Sequence, residues 1–368
     1  MRIKKISYTD KTTGWELKPV SFNQLTLLVG ASGVGKTRIL NSILDLKRIA
    51  RGESLNGVKW RIEFFSSNGT QYIWDGEFED TGVSFRNDGN HSRGISIIAE
   101  SVQRENKLIV KRDRDGILFN NQKTVKLSND QSVLSLLREE EQIKEVAEEF
   151  EKIIFPVMEG NLSFSSSFDK DINKYSGIGE VRNLPIPLNE KLYFSYKREK
   201  QLFDGIADSF IDIFPCVEEV RIEPVPFSID TTLKHFILEI QIKERGVAGW
   251  ISNISSGMLK TLVHIAQFQL CADSSLILID EFENSIGINC IDELTSSIVS
   301  AQRGLQFIIT SHHPYIINNI KHTDWKIVTR KGGAVIAHDA SDFNFDKSKH
   351  KAFTQLINLD LYSEGVES

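Results

Sequence analysis

Cysteine is scarce in this chain. Its 368 residues hold three, Cys216, Cys271 and Cys290, an odd number with no C-x-x-C pair. That argues against a disulfide framework, and it predicts reduced, buried thiols of a cytoplasmic protein. Long hydrophobic runs are lacking too. None approaches the roughly 18 residues that read as a membrane span, so no membrane contact is expected. The opening Met1-Arg2-Ile3-Lys4-Lys5-Ile6 leads into no apolar stretch, and it reads as a short strand and not as a signal peptide. Charge of one sign is not in excess. The net charge of −6, from 44 basic and 50 acidic residues, gives no global pull toward nucleic acid. Internal repeats, low-complexity tracts and long heptad arms are absent. The remainder is 40% apolar and 26% charged, the composition of a soluble globular protein with one large domain or two ordinary ones.

The most informative stretch that is present runs from Leu25 to Thr37. An apolar strand, Leu25-Thr26-Leu27-Leu28-Val29, enters Gly30-Ala31-Ser32-Gly33-Val34-Gly35-Lys36-Thr37. This is G-x-x-x-x-G-K-[ST], the phosphate-binding P-loop. Its glycines admit backbone conformations that turn successive N–H groups inward onto phosphate oxygens. Lys36 adds a point charge for the β- and γ-phosphates, and Thr37 offers a hydroxyl to Mg²⁺. Ile39, Leu40, Ile43, Leu44 and Leu46 then fall at helical spacing, so the loop ends at a helix N-terminus, which favours anions. The expected contact set for ATP is Gly30, Ala31, Ser32, Gly33, Val34, Gly35, Lys36, Thr37 and Arg38. An aromatic for the adenine is sought at Tyr8 or Trp15, and the sequence leaves both open.

Around this loop the pattern changes several times. Residues 1–30 read as two or three short strands with a turn over 9–14. Residues 58–127 alternate strand-like segments with Asn- and Gly-rich turns. Over 132–155 the period becomes helical, with Ile143, Val146, Ala147, Phe150, Ile153 and Ile154 on one face and the charged run 138–141 opposite. Residues 160–190, rich in Ser, Asn, Gly and Pro, read as loops. Residues 191–215 read as helical, and 217–225 and 234–244 as two strands. From 254 onward helix and strand alternate, as in a parallel sheet. Basic clusters at 107–114 (Lys111, Arg112, Arg114) and 197–200 (Lys197, Arg198, Lys200) have acids among them and read as solvated surface, with phosphate contacts as the other reading.

The second half supplies partners for the loop. Ser275-Leu276-Ile277-Leu278-Ile279-Asp280-Glu281 is a buried strand ending in two acids. The first acid sits where a P-loop protein holds Mg²⁺. The second is placed to polarise an attacking water as general base. Upstream, Ser255-Ser256-Gly257 opens an apolar helix, offering a hydroxyl, N–H groups and a dipole to a γ-phosphate. The same serines also suit a plain N-cap. Downstream, the strand Gln306-Phe307-Ile308-Ile309-Thr310 runs into Ser311-His312-His313-Pro314.

The order P-loop, Gln131, Ser-Ser-Gly, Asp-Glu, His resembles ATP-binding-cassette ATPase heads of the structural-maintenance-of-chromosomes, RecF and overcoming-lysogenization-defect (OLD) proteins. It looks most like the compact OLD-like group, whose wording Asp280-Glu281-Phe282-Glu283-Asn284-Ser285-Ile286 resembles. The resemblance covers roughly 1–330. It implies an α/β fold: a P-loop head with an N-terminal mixed β region and an inserted helical lobe. The segments expected are 1–130, an ATPase lobe with the P-loop and the β insertion; 131–215, the helical lobe; and 216–368, a lobe with signature, acid pair and switch histidine. It implies catalytic roles for Glu281, His312 and Gln131, metal contacts from Thr37, Gln131 and Asp280, and nucleotide contacts from Ser255, Ser256 and Gly257 across an ATP-sandwiched homodimer. It also implies a nucleotide-gated switch in DNA transactions or anti-phage defence, with a separate nuclease or other effector and a DNA contact. Ile286-Gly287-Ile288 departs from the Leu-His-Pro common in that group. A transporter-type ATPase subunit and a P-loop enzyme acting on its own substrate are the alternatives.

Overall fold

The computed structural model describes residues 1–82, 94–156, 174–227, 235–284, 295, 298, 303–363 and 365–367. The chain divides into two compact units. The first comprises 1–154, 274–282 and 303–368; the second comprises 155–273 and 283–302. The expected segment 131–215 is therefore split: its first part, to 154, falls in the first unit.

The first unit begins with β1 (Arg2–Asp10), β2 (Trp15–Ser21), β3 (Leu25–Val29) and α1 (Lys36–Ala50). Then come β4 (Val58–Phe65), β5 (Gln71–Phe78), β6 (Ile97–Arg104), β7 (Lys107–Asp113), β8 (Gly116–Phe119), β9 (Gln122–Lys123), α2 (Val133–Leu136), α3 (Glu141–Glu151) and β10 (Ile153–Ile154). In the second unit are α4 (Ile178–Asn183), α5 (Leu188–Arg198), α6 (Lys200–Ile213), β11 (Val217–Phe227), β12 (His235–Glu244) and α7 (Ser256–Leu270). The first unit is completed by β13 (Leu276–Ile279), β14 (Gln306–Thr310), α8 (Pro314–Asn319), β15 (Trp325–Lys331), β16 (Ala334–Asp339), α9 (Lys349–Ile357), α10 (Asp360–Ser363) and β17 (Val366–Glu367).

One mixed sheet runs through the first unit in the order β10-β13-β14-β3-β15-β16-β2-β1-β4-β5-β6-β7-β8-β9, with β17 added on β15. From β10 to β15 the neighbours are parallel. A parallel sheet is covered on both faces, so its strands read as continuous apolar runs. Leu276–Ile279 and Gln306–Thr310 are buried along their whole length. The registers Ile279↔Ile309 and Thr310↔Leu28 bring the carboxyl ends of β13, β14 and β3 to one edge. Ligands bind outside that edge in open α/β sheets.

From β15 to β9 the sheet is antiparallel apart from the β16–β2 pair. Here the alternation is plain: Trp60, Ile62 and Phe64 face inward from β4, and Tyr72, Trp74 and Phe78 from β5. Phe150 of α3 closes this cluster, edge-on to Trp74 at 4.9 Å. The helix expected over 132–155 is broken. Ile143, Val146, Ala147 and Phe150 do form the buried face of α3. The β-branched pair Ile153 and Ile154 leaves it to become a strand against Leu276 and Ile277, because the edge of β13 is open there.

The second unit packs α5, α6 and α7 together, with Phe194, Phe203, Phe210 and Leu262 buried. Its hairpin β11–β12 pairs Val217↔Glu244 through Phe227↔His235.

Two surface expectations are corrected. Arg112 does not belong to a basic surface; it is 4% exposed and faces the buried Glu100. Cys216 is exposed and free while Cys271 is buried and free; Cys290 lies outside the described residues. Residues 138–141, 197 and 198 are solvent-exposed, as expected. Among the described residues no helix is long and apolar enough to cross a membrane.

Candidate functional site at the carboxyl edge of the parallel strands

β3 delivers the chain to the sheet edge and α1 takes it away, and the loop between them turns on glycine. Gly30, Gly33 and Gly35 have φ of +147°, +82° and +109°, values that residues with a β-carbon avoid. Close approach adds a second constraint at Gly30, where a β-carbon would lie 2.5 Å from the carbonyl oxygen of Val328. Gly35 is the N-cap of α1, and no side chain caps the helix. Its first-turn N–H groups have no intrahelical acceptor and carry the positive end of the dipole. No acid lies in that first turn. Among the described residues no atom lies within 4 Å of where a β-carbon on Gly33 would stand. The cradle thus fits an anion. Lys36, 6% exposed, folds over it and donates to the carbonyl oxygens of Gly30 and Ala31, both at 2.8 Å.

Across the edge, the Thr37 hydroxyl donates to Asp280 Oδ1 at 3.1 Å. Asp280 follows β13, two positions along the sheet from β3, and β14 lies between them. The gap is bridged by Thr310, the last residue of β14, which sequence reasoning missed. Its hydroxyl donates to Asp280 Oδ1 at 2.7 Å and accepts the Glu281 N–H at 2.7 Å. Its carbonyl accepts the Phe282 N–H at 3.0 Å. The signal available was position: a hydroxyl ending the buried strand that runs up to the histidines. Glu281 takes a left-handed φ of +45°. That conformation costs an ordinary residue about 1–2 kcal/mol. The bond to Thr310 and the buried Phe282 hold it, leaving the Glu281 side chain exposed.

Among the described residues no cluster of three or more His, Cys, Asp or Glu could hold a metal ion. Thr37 and Asp280 supply two oxygens. Mg²⁺ takes few protein ligands when phosphates and water complete its octahedron, so this donor set suits it and not a dedicated metal cage.

The two histidines separate cleanly. His313 caps α8, its Nδ1 accepting the Tyr315 N–H at 3.2 Å. His312 is half-exposed and follows the end of β14 by two residues. Neither adenine candidate offers an open face. Tyr8 is buried with its hydroxyl on Asp45 at 2.9 Å, and buried Trp15 is covered by the Arg38 guanidinium 5.2 Å from the ring.

Gln131 is not at the site, which corrects the sequence reading. Its Nε2 is 3.7 Å from where a β-carbon on Gly52 would stand, beyond the far end of α1. At 1.5 Å per residue, α1 alone sets Gln131 about 20 Å from the loop. The Gln131 carbonyl is held there by Arg112 Nη1 at 2.7 Å. The strand that leads out of the first unit is β10, after α3, and its continuation over 157–173 lies outside the described residues.

In the second unit, Ser255 caps α7, its side chain accepting the Met258 N–H at 3.3 Å. Ser256 is exposed and Gly257 half-buried at the first turn. Lys260, one turn on, reaches the carbonyl of Asn284. Ser285, Ile286, Gly287 and Ile288 lie outside the described residues.

The sequence profile of a family described as "AAA domain, putative AbiEii toxin, Type IV TA system" matches residues 25–318. No curated protein matches the chain. One similar solved structure is an SMC head bound to the C-winged helix domain of ScpA, at 16% identity over 92% of this chain and 97% of that one, with a TM-score of 0.46. Another is the SMC head domain from Thermotoga maritima, at 15% identity over 92% and 99%, TM-score 0.44. A third is an Smc head domain with an extended coiled coil bound to the C-terminal domain of ScpA derived from Pyrococcus furiosus, at 16% identity over 93% and 97%, TM-score 0.41. The family profile takes in the P-loop, the acid pair and His312 in a single span, and the chain belongs to this AAA-domain family of P-loop ATPases.

Proposed function

We propose that this protein binds ATP with Mg²⁺ and hydrolyses it as a nucleotide-gated switch. The observation that carries the reading is the hydrogen-bonded row Thr37–Asp280–Thr310–Glu281, which joins the P-loop helix to both acids along one sheet edge. In this reading the N–H groups from Ala31 to Arg38 and the Lys36 ammonium take the phosphates. Thr37 and Asp280 hold the metal, which when bound neutralises charge on the β- and γ-phosphate oxygens. Glu281 orients and deprotonates the attacking water, and His312 faces the γ-phosphate. Gln131 has no part.

Exposed Ser256 beside the Ser255 cap, at the N-terminus of α7, supports a second element of the proposal. Ser255, Ser256 and Gly257 of one copy complete the γ-phosphate site of another, so that ATP holds a two-fold dimer closed and hydrolysis opens it. The family description names a toxin and a type IV toxin–antitoxin system. We extend it to this chain as a defence role, exercised through an effector on a separate polypeptide, with DNA as a candidate trigger.

Two measurements test this. Calorimetry should detect ATP binding to the wild type and none to Lys36→Ala; equal affinities would remove the P-loop from the account. Sedimentation of Glu281→Gln should show a dimer with ATP and a monomer, or a weaker dimer, with ADP. Assembly indifferent to nucleotide would leave a single-subunit ATPase.

A further inference from the structure

Gly365, the residue just before strand β17, lies against the P-loop. The strand pairs in parallel with β15, Arg330 opposite Val366 and Lys331 opposite Glu367. β16 occupies the other edge of β15 through Lys331. The pairing of β15 with β3 ends at Ile327 opposite Val29, where the chain turns away into the loop. β17 therefore sits on the stretch of β15 that β3 vacates. Just before it, the Gly365 carbonyl accepts the Arg330 N–H at 2.7 Å.

Gly365 is buried, at a φ of +52°. A β-carbon there would come within 2.8 Å of Val34 Cγ1 and 2.9 Å of Ala31 Cβ. Both contacts are closer than carbon atoms tolerate, so the backbone of residue 365 fills the space beside the loop with nothing to spare. Val34 itself is fully buried. Ala31 and Val34 stand between the glycines of a loop whose backbone has unusual freedom to lose. A rigid neighbour on its outer side removes part of that freedom before any ligand arrives, which is preorganisation.

We propose that β17, acting through Gly365, is a wall that holds the P-loop in its phosphate-ready shape, which makes Gly365 a positioning residue for the nucleotide site. The purpose assigned to the wall rests on the nucleotide reading; the wall itself does not. Coupling of this kind is reciprocal, so bound nucleotide tightens β17 against β15 as much as β17 tightens the loop.

Hydrogen exchange on the full chain tests the wall without nucleotide. The variants are Gly365→Val, the milder Gly365→Ala, and Gly332→Ala as a control for backbone strain. Gly332 lies in the turn after β15 at a φ of +56°, with no atom of the described residues within 4 Å of a β-carbon. Amides 31–37 should exchange about tenfold faster in Gly365→Val, less so in Gly365→Ala, and at the wild-type rate in Gly332→Ala. In turnover assays the KM for ATP should rise about tenfold in Gly365→Val while kcat holds, the split expected of a site loosened before binding. Wild-type exchange over 31–37 in both Gly365 variants would overturn the proposal, as would equal loosening by Gly332→Ala. A wild type that binds no ATP would end the nucleotide reading, and the exchange comparison would still decide the wall.

Discussion

Glu100 and Asp280, two of the first-unit carboxylates that are held by several donors, differ in what is left over. Glu100, in the antiparallel half, is 2% exposed and held by three hydrogen bonds and an ion pair. Its Oε1 takes Trp74 Nε1 at 3.0 Å and the Ser132 hydroxyl at 2.5 Å, and its Oε2 takes the Val133 N–H at 2.9 Å beside Arg112 Nη1 at 3.6 Å. Asp280, in the parallel half, receives two hydroxyls on Oδ1 from the described residues and is half-exposed at the sheet edge. Burial pushes the Glu100 carboxyl up; Arg112, Ser132, Val133 and Trp74 oppose that without cancelling it. Such a network fixes structure, and a buried carboxylate enclosed by its own donors has little to offer a ligand. Asp280 is oriented through one oxygen, beside an anion cradle. The comparison teaches that a count of hydrogen bonds does not mark a site. Oriented but uncommitted acceptors do.

Four substitutions sharpen that contrast, taken from the largest expected effect to the smallest. Glu281→Gln should slow ATP turnover about 10²–10⁴-fold, the range for losing a general base. ATP affinity should survive, because Lys36 and Asp280 are untouched; unchanged turnover would put the base elsewhere. Arg112→Ala should cost about 3–5 kcal/mol of stability, since it strands a buried carboxylate. The folded fraction should keep the wild-type KM for ATP, and urea titration with steady-state kinetics would separate the two effects. Thr310→Val removes the hydroxyl that orients both acids and should lower kcat about 10–100-fold, the worth of a hydrogen bond to a charged group. A change in stability with kcat intact would make Thr310 a packing residue only. Gln131→Ala should leave kcat within about twofold, as expected for a side chain one helix length away from the loop. A tenfold loss would restore it to the site.

The central elements of the site were legible because each is local. Strand, glycine loop and helix follow one another in the chain, and so do the buried strand and its two acids. Much of the antiparallel half was legible for a similar reason, since alternation in β4 and β5 marks its own inward face. What escaped were matters of sheet order and of polar pairing. Gln131 stood before a helical stretch, as expected for that role, but the helix is broken and a second element, β10, intervenes before the chain leaves the unit. Thr310 lies 30 residues from Asp280 and meets it only because β14 is inserted between β13 and β3. Arg112 looked like one more basic residue on an alternating strand, and only its inward face and the opposing Glu100 show that it is buried. Gly365 carried no sequence signal at all, because the space it fills is made by Ala31 and Val34.

The direct test of the central claim is ATP binding with and without Mg²⁺, measured by calorimetry on wild type and Asp280→Ala. If Thr37 and Asp280 hold the metal against the phosphates, Mg²⁺ should tighten ATP binding at least about tenfold in the wild type. Most of that gain should vanish in Asp280→Ala, with metal-free affinity little changed. An equal Mg²⁺ effect in both proteins would contradict the account, and would leave Asp280 and Thr310 as structure.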